Sequence, residues 1–139
     1  MVAAFSVAHT LEFGRYESGP WLSGAAFALF ALGITLRWWA IFVLGRFFTV
    51  DVAIHEGHEL VQRGPYRVLR HPSYTGALLT FFGLGLLFES WPALLAATLP
   101  VVAMMLRRIQ VEERALAEHF GAAWTAHCAR TWRLVPGVW

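Results

Sequence analysis

The sequence predicts an all-α integral-membrane helical bundle with about three transmembrane helices, and three observations carry that prediction. Of its 139 residues 58% are apolar and 14% charged, with a mean hydropathy of +0.53. An ordinary soluble domain has ~25% charged residues, so this chain has too little polar surface to enclose a water-soluble core. The apolar residues come in long uncharged runs, residues 20–36, 71–88 and 90–106, on the length scale of helices in a bilayer. The polar residues are gathered into two blocks, residues 46–70 and the stretch from Arg107 onward. The length suits one domain over residues 1–139.

The same composition excludes several functions. A net charge of +2 is too weak a balance for a nucleic-acid partner, and all eleven basic residues are arginine. With no lysine there is no Schiff-base or P-loop lysine chemistry. A single Cys128 can form neither an intramolecular disulfide nor a cysteine metal cluster.

Taken in order, residues 1–19 carry Glu12, Arg15 and Glu17 and lack the basic start and apolar core of a cleaved signal peptide. Residues 21–44 read as one long transmembrane helix, with Trp38 and Trp39 near the interface and Arg37 close enough to one end to snorkel to the headgroups. Residues 46–70 form a polar loop whose backbone must lie in water or in a protein-lined cavity, because lipid would leave its amides unpaired. Residues 72–107 read as a transmembrane hairpin. Glu89-Ser-Trp-Pro92 breaks its apolar run as a tight turn does, and each arm is short for a full span. Over residues 108–130, Ile109, Leu116, Phe120, Ala123 and Trp124 recur at helical spacing, predicting an amphipathic cytosolic helix. Four arginines in the loop and five from Arg107 onward, against Arg15 alone on the other side, place loop and C-terminal helix in the cytoplasm.

Two polar clusters then share one membrane side. In Arg70-His-Pro-Ser-Tyr-Thr-Gly76, Pro72 suits a first helical turn, His71 falls near the cap, and the amides that follow form a positive helix end able to hold a carboxylate. Tyr74 can pack on a flat ring or donate its hydroxyl. The bland alternative is a polar helix start anchored at the headgroups. In Arg107-Arg108-Ile-Gln-Val-Glu112-Glu113, Glu112 sits on or beside the apolar stripe, where a carboxylate needs a partner. Arg108 or a cationic ligand can serve, and a plain i,i+4 ion pair is the alternative. His9, His55, His58, His119 and His127 are too scattered for a metal site, and neither Ser73 nor Ser90 has the base and orienter of a hydrolytic triad. Gly83 and Gly85 read as points of close helix approach.

The strings His58-Glu-Leu-Val61, Gly64-Pro-Tyr66, Arg70-His-Pro-Ser-Tyr74-x-Gly76, Arg108-x3-Glu112-Glu113-x2-Leu116, Phe120-Gly121 and Arg133-Leu-Val-Pro136 resemble the isoprenylcysteine carboxyl methyltransferase family over about residues 46–136. That resemblance implies an integral-membrane enzyme, active on the cytoplasmic side, that uses S-adenosylmethionine to methylate the C-terminal carboxylate of a prenylated cysteine. Carried over by motif position, Asp51, His58, Glu59, Leu60, Val61, Tyr66, His71, Pro72, Ser73, Tyr74 and Glu112 line the cofactor pocket, and Arg108 holds the substrate carboxylate. No metal is implied. The partners are membrane lipid and a lipophilic carboxylate, and three spans make so thin a pocket wall that a homo-oligomer is compatible. Other readings are a phospholipid or small-lipid methyltransferase, a nicotinamide-dependent membrane reductase, which lacks a glycine-rich phosphate turn here, and a non-catalytic membrane protein.

Overall fold

Long uncharged runs close their backbone hydrogen bonds locally as helices, which is the arrangement a bilayer demands, and the third run does so despite Pro100 in its interior. The structure, a computed structural model, describes residues 14–47 and 59–139. Four α-helices occur among them: α1 (Pro20–Leu44), α2 (Pro72–Leu86), α3 (Trp91–Phe120) and α4 (Ala122–Cys128), with short 3-10 turns at Gly45–Phe47 and Gly64–Arg67. Among the described residues two segments, Pro20–Phe47 and Trp91–Phe120, are long and apolar enough to cross a membrane. Only 11% and 17% of their most apolar windows are buried within the protein, so these are not the core helices of a soluble globule. The 15 residues of α2 reach only about 22 Å at 1.5 Å per residue, short of the ~30 Å hydrocarbon core. Of the three helices expected to span, α2 is therefore the short one.

The chain divides into two compact units, Met1–Thr35 with Gly76–Met104, and Leu36–Thr75 with Met105–Trp139. In the first, α1 and α2 touch backbone to backbone. A Cβ added at Gly33 would lie 2.5 Å from the Thr80 nitrogen, and one at Gly83 would lie 2.7 Å from the Ala26 oxygen. Gly85 likewise admits Leu94 of α3. The turn between α2 and α3 puts Glu89 in the left-handed region (φ 52°) and buries Ser90, whose carbonyl accepts from the Leu94 amide at 2.9 Å. The segment before α1 closes this turn: Tyr16 donates its amide to the Glu89 oxygen and its hydroxyl to the Leu86 oxygen, and Ser18 donates to the Glu89 carboxylate.

The second unit differs from the sequence expectation in one respect. The amphipathic helix read over residues 108–130 does not start at Arg108; it is continuous with the hairpin's return arm and stops at Phe120. Arginine and glutamate are good helix formers, so the move from apolar to polar composition changes the solvent without breaking the helix. The break comes instead at Gly121, with φ 50°, a conformation costly for residues with a Cβ. The chain then returns along the start of α2. Leu69 and Trp132 form a parallel bridge, the Arg70 amide donates to the Trp132 oxygen at 2.7 Å, and the His71 amide donates to the Arg133 oxygen at 3.2 Å.

Candidate active site

The candidate site lies within the second unit, around the first turn of α2 and the polar half of α3. Met105 and Ile109 are buried on α3, and a helix brings residues three and four further along onto that same side. Glu112 and Glu113 flank the resulting stripe, about 100° apart around the axis at 3.6 residues per turn. His71 sits between them with its side chain 5% exposed, Nδ1 3.6 Å from Glu112 and Nε2 3.2 Å from Glu113. Pro72, which is fully buried, starts the helix. The His71 ring stacks on Tyr74 at 5.7 Å, and Tyr74 donates its hydroxyl to Glu112 Oε1.

The two carboxylates have different company. Glu112 accepts from Arg108 Nε at 2.9 Å, and this pair is the more open one, with side chains 22% and 34% exposed. Glu113 is a clasp. It accepts from Arg70 Nε at 3.2 Å and from Arg133 through Nε at 3.0 Å and Nη2 at 2.7 Å. Arg70 also donates to the carbonyls of Cys128 and Thr131, at 3.0 and 2.8 Å, so one guanidinium ties α2, α3 and the C-terminal segment together. Sequence reasoning gave Glu113 no role. The signal for it was present in the charges of Arg70 and Arg133, but their pairing is non-local and leaves no periodic trace.

The other candidates are placed unevenly. Tyr66 is buried in the turn Gly64–Arg67, and its hydroxyl is pushed above the usual tyrosine range, first by burial and then by the Glu112 charge. It is thereby a neutral ring near the same carboxylate. Ser73 accepts from Arg37 through its carbonyl oxygen. Leu60 and Val61 are half-buried and Glu59 is exposed, and none of the three has a hydrogen bond or ion pair joining it to the cluster. Asp51 and His58 lie outside the described residues. The helix-tip amides are less available than expected: Pro72 has none, and those of Tyr74 and Thr75 both donate to the His71 carbonyl, at 3.0 and 3.1 Å. Among the described residues no group of three or more His, Cys, Asp or Glu is arranged to hold a metal ion.

The site thus combines an accessible carboxylate, an arginine aligned by it, two tyrosines and a buried histidine. Comparison with known proteins gives this set a context. A family model described as phospholipid methyltransferase matches residues 22–123. Protein-S-isoprenylcysteine O-methyltransferase B of Arabidopsis thaliana is 32% identical over 134 residues, which cover 95% of this chain and 68% of that protein. An uncharacterized Bacillus subtilis protein, YpbQ, is 28% identical over 113 residues, 81% of this chain and 66% of its own length. Among solved structures, the eukaryotic intramembrane Ras methyltransferase ICMT (isoprenylcysteine carboxyl methyltransferase) matches with a TM-score of 0.77 at 29% identity, over 85% of this chain and 43% of that one. The chain therefore spans about two thirds of these curated relatives and less than half of the solved chain. On the strength of the family match, the motifs and the fold, this chain belongs to the phospholipid methyltransferase family and is an integral-membrane relative of the isoprenylcysteine carboxyl methyltransferases.

Proposed function

We propose that the protein is an S-adenosylmethionine-dependent methyltransferase acting on the carboxylate of a lipophilic acceptor, an S-isoprenylcysteine being the acceptor class its relatives' names supply. The observation that carries this reading is the Arg108–Glu112 pair on one turn of α3, with Tyr74 bonded to the same carboxylate. The donor set fits the cofactor. Glu112 is an anion for its cationic groups, and the neutral phenol rings of Tyr66 and Tyr74 are flat surfaces beside that anion. When bound, S-adenosylmethionine would supply an electrophilic methyl group.

The protein's own share of the chemistry is modest. A carboxylic acid is ionised at neutral pH, so the acceptor oxygen is a nucleophile without a general base, and His71, enclosed by two carboxylates, need not act as one. Arg108, oriented by Glu112 through Nε, would grip the acceptor carboxylate through a planar guanidinium. Alignment of this kind lowers a barrier by as much as ~7–11 kcal/mol. Exposed apolar side chains on α1 and α3, among them Phe27, Phe42, Leu95 and Leu99, suit an acceptor that arrives from the bilayer. The arginine count supports a site on the cytoplasmic side.

The family model favours one second reading, methylation of a phospholipid amine. A guanidinium beside the nucleophile suits a carboxylate better than an amine, whose nearest anion is the more distant phosphate, so Arg108 favours the carboxylate. Incubation with radiolabelled S-adenosylmethionine and a panel of prenylcysteine, fatty-acid and phospholipid acceptors decides between them. A base-labile methyl ester is expected from the prenylcysteine, whereas label confined to base-stable phospholipid would refute the carboxyl assignment. Calorimetry in detergent should show Glu112→Gln binding the cofactor at least tenfold more weakly, and unchanged binding would remove Glu112 from the cofactor site.

A further inference from the structure

Arg37 belongs to α1, seven residues before its end at Leu44, about 10 Å along the axis. A guanidinium inside a membrane helix is costly, and it normally turns toward a partner or a functional cavity. Arg37 Nη1 turns onto Ser73, donating to the carbonyl oxygen at 3.2 Å and reaching Oγ at 3.4 Å. Both acceptors are neutral. Among the described residues the two carboxylates of the cluster are taken by Arg70, Arg108 and Arg133, and none pairs with Arg37. Arg46, Arg63, Arg67, Arg107, Arg114 and Arg130 are exposed, where water or headgroups screen them. Arg37 is the half-buried arginine whose charge no described carboxylate answers.

We infer that Arg37 binds the amino-acid carboxylate of the methyl donor. The inference rests on the donor proposed above and gives a residue to its anionic end. The amino-acid end of S-adenosylmethionine carries an ammonium and a carboxylate on one carbon, so it needs a negative and a positive protein group close together. Ser73 and Tyr74 are consecutive residues in the first turn of α2. Arg37 is bonded to the first of them, and Glu112 to the second. An anion beside Arg37 would also relieve the repulsion between a guanidinium and the positive end of a helix. Arg108 is bonded to Glu112 on α3 and is assigned to the acceptor, so the two arginines divide the two carboxylates of the reaction.

The test compares S-adenosylmethionine with its decarboxylated analogue, which keeps the sulfonium, the ammonium and the nucleoside. Binding of each is measured by calorimetry to the full chain in detergent, for the wild type, Arg37→Gln and Arg37→Lys. The wild type is expected to prefer the carboxylated ligand at least tenfold. Arg37→Gln should lose that preference, binding S-adenosylmethionine at least tenfold more weakly and the analogue within twofold of wild type, with Arg37→Lys in between. Equal weakening for both ligands would mean a merely structural role and overturn the inference, as would unchanged affinity for S-adenosylmethionine. A raised acceptor KM with normal donor binding would move Arg37 to the acceptor carboxylate and also overturn it. Wild type that binds neither nucleotide would sink the proposed function along with the inference, whereas a wild type that binds without discriminating sinks the inference alone.

Discussion

Replacing Glu113 by alanine should loosen the polar end of the second unit far more than replacing its neighbour Glu112. The Glu113 side chain is 14% exposed and faces Arg70 at 12%, His71 at 5% and Arg133 at 33%. Breaking a buried ion pair from one side costs ~3–5 kcal/mol, because the other charge is left uncompensated. Two features pull the value toward the lower end: Arg70 keeps the carbonyls of Cys128 and Thr131, and Arg133 is exposed enough for water to replace much of what it loses. A loss of about 3 kcal/mol corresponds to a Tm roughly 10 °C lower in a chain of this size. The Glu112–Arg108 pair is more open and spaced i,i+4, a class worth ~0.3–0.5 kcal/mol when exposed. Adding the Tyr74 hydrogen bond, at ~0.5–1.5 kcal/mol, puts Glu112→Ala near 1 kcal/mol and a Tm only a few degrees lower. Thermal unfolding of both variants in the same detergent, followed by tryptophan fluorescence, makes the comparison. A Glu113→Ala protein melting within 2 °C of wild type, or a Glu112→Ala protein melting as early as Glu113→Ala, would refute the division of labour between the two carboxylates.

Other expectations follow from particular contacts. Arg108→Ala should keep cofactor binding within about threefold by calorimetry while methyl transfer to a prenylcysteine acceptor falls at least a hundredfold; weakened cofactor binding with normal turnover at saturation would contradict the role. Gly33→Ala sets a methyl against the backbone of Thr80 and Gly76 and should cost ~1–3 kcal/mol as overpacking, whereas Gly24→Ala, with nothing within 4 Å of the new atom, should leave the Tm level or raise it through helix propensity. His127 is depressed below the usual histidine value, first by burial and then by Arg70, Arg130 and His71. The unfolded chain therefore takes up a proton at this residue near pH 6.5 that the folded chain refuses. Its contribution to stability is complete above that pH and is lost as pH falls toward the folded value. Melting curves between pH 7.5 and 5 should show a shallower decline in His127→Gln than in wild type.

How far the sequence could be read depended on whether the governing physics is local. The extent of α1 and the helix starting at Pro72 each depend on neighbouring residues, and the described structure has both, whereas the turn expected at Glu89–Pro92 falls at residues 87–90, Trp91 and Pro92 already opening α3. The Tyr74, Arg108 and Glu112 grouping was legible as a motif, and the structure joins those side chains. The contact of Arg37 with Ser73 was not legible, because composition alone cannot name the partner of a lone arginine in an apolar helix. The clasp on Glu113 went unseen because it unites residues 70, 113 and 133, and sequence spacing has no rule for contacts so far apart. The extent of α3 was missed for a different reason: polarity marks where the solvent changes, and only Gly121 marks where the backbone can turn.

The backbone bonds from Arg70 and His71 to Trp132 and Arg133, and from the Thr75 hydroxyl to Leu134, also bear on biosynthesis. The donors on this seam are translated some sixty codons ahead of their acceptors. This corner of the molecule thus gains its final strut only from residues that follow every long helix in the chain. A chain cut before residue 131 would lose these acceptors and leave the tip of α2 without its backbone partners.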